Sequence, residues 1–76
     1  MIWKSRVLKV RRIIKPVDAY GRAEYYRPDG TVYQMENIMI YLVELQDGTK
    51  TLAGKINGDW MEAFTDADGI NTIKVV

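Results

Sequence analysis

The chain has 76 residues, is 47% hydrophobic and carries a formal net charge of +1. That length supports one domain with a modest core, and the hydrophobic share argues against disorder. With no Cys and no His, disulfides, Cys/His zinc sites, thiol nucleophiles and the commonest general base are excluded, so stability must come from apolar burial, self-association or both.

The near-zero net charge hides a segregation. Residues 1–27 carry eight Lys/Arg and two acids, a balance of +6; residues 28–76 carry three Lys and eight acids, a balance of −5. Two readings compete: a basic face turned toward a partner, or two halves that neutralise each other across a sheet. Lys4, Arg6, Lys9, Arg11 and Arg12 break the opening run, so no secretory leader is expected, and no apolar stretch reaches the length of a membrane span. The expectation is a soluble cytoplasmic protein.

In chain order, the first segment has an ambiguous period. Trp3, Val7, Val10 and Ile14 recur at helical spacing, whereas the β-branched Val7, Val10, Ile13 and Ile14 favour a strand. A long strand is expected, ended by Pro16. Residues 25–33 read as a hairpin around Pro28-Asp29-Gly30, with Arg27 facing Thr31, Tyr26 facing Val32, Tyr25 facing Tyr33 and Arg22 facing Glu36. Residues 38–45 are apolar on both faces until Glu44, as in a central strand covered on both sides. Asp47-Gly48 is expected to form a two-residue turn that sets Val43 against Leu52, Tyr41 against Gly54 and Met39 against Ile56. Gly54 would then mark a bend. Asn57-Gly58 is another turn signal. Trp60, Met61 and Phe64 stand at helical spacing behind a potential Asp59 cap, so a short helix is expected near residues 59–65. Asp68-Gly69 leads into a β-rich tail, residues 70–76, whose edge is a candidate for homo-oligomerisation.

The architecture this spells is mainly β: a small antiparallel barrel or strongly bent sheet of five to six strands, SH3-like or OB-like, in a single domain spanning residues 1–76. Such folds host many unrelated functions.

Chemistry is sparse. The one Ser, Ser5, has no base beyond Asp, Glu or Lys, and no catalytic activity is expected. Asp66-Ala67-Asp68-Gly69 fails as a calcium loop, because the flanking ligand positions fall on Phe64 and Val75. The glycines sit singly in turns, so no phosphate cradle exists and no cofactor or metal is expected.

Two binding hypotheses remain. Arg6, Lys9, Arg11, Arg12, Lys15, Arg22 and Arg27, interleaved with Tyr25 and Tyr33, have the residue types that track phosphates and stack unpaired bases, which favours single-stranded nucleic acid. Alternatively, Trp60, Glu62, Phe64 and Asp66 form an aromatic anchor rimmed by acids, suited to a larger protein complex. That would be an inhibitor or adaptor of the kind phages and mobile elements carry.

Overall fold

The computed structural model describes residues 4–76; Trp3, and its part in the helical spacing, lies outside the described residues. Six strands follow in chain order: β1 (Val10–Tyr26), β2 (Val32–Leu45), β3 (Lys50–Ile56), β4 (Asp59–Glu62), β5 (Phe64–Thr65) and β6 (Asn71–Val75). They form one sheet in the order β4-β3-β2-β1-β6-β5, curled through 194° into a half-barrel. All neighbours are antiparallel except β1 and β6, which run parallel.

The helix expected near residues 59–65 is absent, and β4 and β5 take its place. They form one extended path broken at Ala63, the first half pairing with β3 and the second with β6. The reason lies in the preceding turn. Asn57 (φ 50°) and Gly58 (φ 87°) are both left-handed, closing a two-residue loop that sets Ile56 directly against Asp59. Trp60 and Met61 then join different core clusters, as adjacent residues of a strand must.

The three Asp-Gly turns are three-residue loops. Arg27 with Thr31, Leu45 with Thr49 and Asp66 with Ile70 each close by an N–H to carbonyl bond of 2.8–3.0 Å, with a left-handed glycine before the last residue. Asp29 and Asp47 hold the right-handed position because each accepts from the N–H and hydroxyl of the following Thr, 2.7–3.0 Å away. The extra loop residue shifts the β2–β3 register by one from the expected two-residue closure: Leu42 faces Leu52, Tyr41 faces Ala53 and Ile40 faces Gly54. The β1–β2 hairpin has the expected register, with Tyr25 opposite Tyr33 and Tyr26 opposite Val32.

β1 does not end at Pro16. It continues, with Pro16 opposite Tyr41, and its other edge is unpaired there, the setting in which a strand tolerates proline. Between Val10 and Gly21, four of the register shifts each add a residue to β1. Such bulges sharpen twist and bend. They also explain the ambiguous period: Val10, Ile14 and Asp18 are half-buried while the residues between them are exposed, so inward positions recur every fourth residue within a strand.

Two apolar clusters flank the bent sheet. Ala23, Ile40, Ile56, Ala63 and Ile73 fill one; Leu8, Val43 and Ala53 fill the other, with Tyr41 and Trp60 packed against it. Ile40 and Val43, both fully buried, lie in different clusters, so β2 is covered on both sides. Ile40 lies where two glycines leave room. A Cβ on Gly21 would collide with its side chain, and a Cβ on Gly54 would come within 2.7 Å of Ile73 and 3.3 Å of Ile40. The N-terminal segment closes the gap between the sheet's ends: Leu8 N–H donates to Trp60 O, Glu62 N–H to Arg6 O and Ser5 N–H to Lys74 O.

Candidate functional site

The register places one apolar row across three strands at the hairpin end. Tyr33 on β2 faces Tyr25 on β1, which faces Val75 on β6. The two rings lie 5.9 Å apart at 46°, and the Arg27 guanidinium sits 5.8 Å over the Tyr33 ring. With Tyr26, Pro28 and Val76 these residues line an open groove of about 360 Å³ that has no side-chain carboxylate in its wall. Lys74 Nζ lies 5.8 Å over the ring of Tyr26. The Tyr26 hydroxyl donates to Glu24 at 2.9 Å, and desolvation together with that bond raises its pKa. Tyr33 is 48% exposed, whereas Tyr25 packs against the core cluster of Ile40 and Ile73. One ring is therefore anchored and the other is open to a ligand.

Most of the remaining basic residues are engaged elsewhere. Arg6 meets Glu62 through two hydrogen bonds, at 3.0 and 3.2 Å. Arg11 and Arg12 converge on Glu44 at 3.6 and 3.0 Å, and Arg22 lies 3.3 Å from Glu36. In each pair the arginine comes from the basic half and the carboxylate from the acidic half, so the two halves neutralise one another across the sheet at these four arginines. Lys9 and Lys15 are exposed and have no ion pair among the described residues. Of the sequence-derived basic and aromatic set, Tyr25, Arg27 and Tyr33 come together; Arg22 lies three residues back along β1, held by Glu36, and Arg6, Lys9, Arg11, Arg12 and Lys15 fall before the bulged part of β1 or within it.

The second set is dispersed. Trp60 is half-buried, edge-on to Tyr41 at 5.5 Å, with Lys55 Nζ 5.3 Å over its ring. Asp66 organises the last turn, accepting from the N–H groups of Asp68 and Ile70 and from the Thr72 hydroxyl. Those bonds, led by the one from Ile70, hold its pKa below the ordinary aspartate value. Glu62 and Phe64 line a second open groove with Lys4, Arg6 and Thr65. The residues that sequence reasoning missed at the hairpin are Tyr26, Pro28, Lys74, Val75 and Val76. Only the β1–β6 pairing brings the two valines there, and no local signal reports a parallel contact across fifty residues.

Among the described residues no group of three or more carboxylates is placed to hold a metal ion, and no helix is long and apolar enough to cross a membrane. Compared with family models, with curated proteins and with solved structures, the chain matches none.

Proposed function

We propose that this protein is a non-catalytic binding module whose ligand enters the tyrosine groove at the tip of the β1–β2 hairpin, and that the ligand is a short stretch of single-stranded nucleic acid. The observation that carries the reading is the stack of Arg27 on an exposed Tyr33 in a groove free of side-chain carboxylates. A base can lie against the tyrosine face, where stacking is worth about 1–3 kcal/mol per base, while Arg27 and Lys74 meet the phosphates. Arg6, Arg11, Arg12 and Arg22 already have carboxylate partners, so these four are not free to track a long backbone.

Fluorescence anisotropy with a labelled oligothymidylate, titrated at several salt concentrations, tests this. Two phosphate contacts give a slope of log K against log salt of about −1 to −2, and Tyr33→Ala weakens binding roughly tenfold or more. Absence of binding at low salt, or affinity indifferent to Tyr33→Ala, removes the reading.

A second reading, a small adaptor or inhibitor acting on a larger protein complex, is favoured by one specific observation. Ile13, Val17, Tyr20, Val32, Met35 and Met39 of the same two strands are all at least 40% exposed. A phage or mobile-element accessory protein would suit that reading. Capture of one defined protein by the wild type, lost in Tyr20→Ala with the fold intact, would support it over the nucleic-acid reading.

A further inference from the structure

The β1–β2 ribbon has two unpaired edges, and they are built differently. β6 pairs with β1 only over residues 22–25, leaving the edge of residues 10–21 without a strand among the described residues. That edge carries Arg11, Arg12, Lys15 and Pro16, and four of its register shifts add a residue. Charges, proline and bulges are the usual devices that keep an edge from pairing with another chain. β3 covers β2 only over residues 40–44, so the edge of residues 32–36 is also uncovered, and all five residues are exposed. This edge, Val-Tyr-Gln-Met-Glu, has no Lys, Arg or Pro, and its pairing with β1 is regular from Tyr26 opposite Val32 to Ala23 opposite Met35.

We propose that residues 32–36 of β2 pair antiparallel with the same residues of a second copy of this chain, about a two-fold axis through Gln34. The phase of the strand supports this register. Arg27 N–H donates to Thr31 O, and bonded positions alternate along an antiparallel pair. Tyr33 and Met35 therefore direct their backbone groups toward β1, and Val32, Gln34 and Glu36 direct theirs outward. Gln34 meets its own symmetry mate, Val32 meets Glu36 of the second copy, and Tyr33 meets Met35 of the second copy twice over. Tyr33 and Met35 are 48% and 40% exposed in the single chain, and sulfur–aromatic contact would cover part of each, so a second copy and a base would compete for the Tyr33 ring. The two Glu36 carboxylates fall at opposite ends of the joint, each 3.3 Å from its own Arg22, so no like charges face each other. The terminal strand serves less well: β1 flanks one side of β6, and β5 and Ser5 occupy the other.

Sedimentation equilibrium over a wide concentration range, with amide hydrogen exchange on the same samples, tests the proposal without any ligand, so its failure leaves the groove reading untouched. The expected result is a mass that climbs from one chain to two, with the Val32 and Gln34 amides gaining protection as it does. Gln34→Pro removes an outward N–H and no backbone bond to β1, losing there only the exposed 3.2 Å bond from the Gln34 side-chain amide to Glu24, so it should stay monomeric with an unchanged circular dichroism spectrum. Lys15→Val, on the other edge, should associate as the wild type does. A monomer at every concentration overturns the proposal, as does folded Gln34→Pro that still dimerises. Should Gln34→Pro fail to fold, exchange on the native chain decides: protection of Val32 and Gln34 that ignores concentration, or a dimer that protects other strands instead, refutes this edge.

Discussion

The two ends of the β1–β2 ribbon solve opposite problems with the same pair of strands. At the Val10 end, β1 takes twelve residues to pass eight of β2 (residues 10–21 against 38–45), and its arginines are tied to Glu44. The strands there wrap around Ile40 and Val43, with apolar clusters on both sides of β2. At the Tyr25 end the register is regular from Tyr26 opposite Val32 to Ala23 opposite Met35, residues 27–37 are all exposed, and the aromatic row ends in an open groove. Curvature and deep burial belong to the end that makes the fold. Regular pairing and exposed aromatics belong to the end free to meet a partner.

The comparison breaks first where burial is deepest. Ile40→Ala leaves a hole between Gly21, Gly54 and Ile73 and should cost about 3–4 kcal/mol, read as a lower midpoint in urea. Tyr33→Ala at the open end should cost under about 1 kcal/mol. If the two losses were equal, the division into a folding end and a binding end would fail. Trp60→Ala removes the edge-on partner of Tyr41 and part of the lid over Val43. For a half-buried indole that should cost about 2–3 kcal/mol, below the range of fully buried aromatics. A Trp60→Ala variant with native stability would return Trp60 to the list of binding anchors.

A smaller effect separates the two sets of basic residues. Arg27→Ala should weaken oligonucleotide binding severalfold, and Arg11→Ala with Arg12→Ala should change it by less than that, because those guanidiniums already face Glu44. The reverse ranking would put the ligand along the bulged half of β1.

Acid gives a further contrast. Asp29 and Asp47 each accept two bonds from the following Thr, and these hold both carboxyls below the ordinary value of 3.8. For Asp29 the backbone bond is the larger cause, and for Asp47 the hydroxyl bond. A pKa lower in the folded chain than in the unfolded one means a contribution fully present above 3.8 and lost as pH falls through the folded value. Melting temperature should therefore decline below about pH 4, and Thr31→Val with Thr49→Val should flatten that decline. The smallest change expected is from Glu44→Gln: near-surface arginine pairs are worth about 0–1 kcal/mol, so its urea midpoint should barely move.

How far the sequence revealed this molecule depended on whether a signal was local. The Pro28-Asp29-Gly30 turn carries its loop length in its own residues, and the register of Tyr25 with Tyr33 follows from it. Asp47-Gly48 resembles a two-residue turn until Thr49 is considered: the Asp47–Thr49 bonds select the longer loop and shift the register. Bulges in β1 imitate a helical period, and Trp60, Met61 and Phe64 keep a helical spacing in sequence although they lie on β4 and β5, either side of the break at Ala63. Val75 reaches Tyr25 through a parallel contact between distant parts of the chain, which no spacing reports. The pair of Arg22 with Glu36 followed from the hairpin register, whereas the pairing of Arg6, Arg11 and Arg12 with glutamates was visible only as a balance between two halves, because register decides which charges meet.

The most direct test of the central claim, that the hairpin end is the end that binds, is an NMR titration of isotope-labelled protein with oligothymidylate, following every backbone amide. The account predicts shifts concentrated at residues 25–33 and 74–76, with residues 9–15 unmoved. Shifts concentrated at residues 9–15, or no shift anywhere at saturating oligonucleotide, would contradict it.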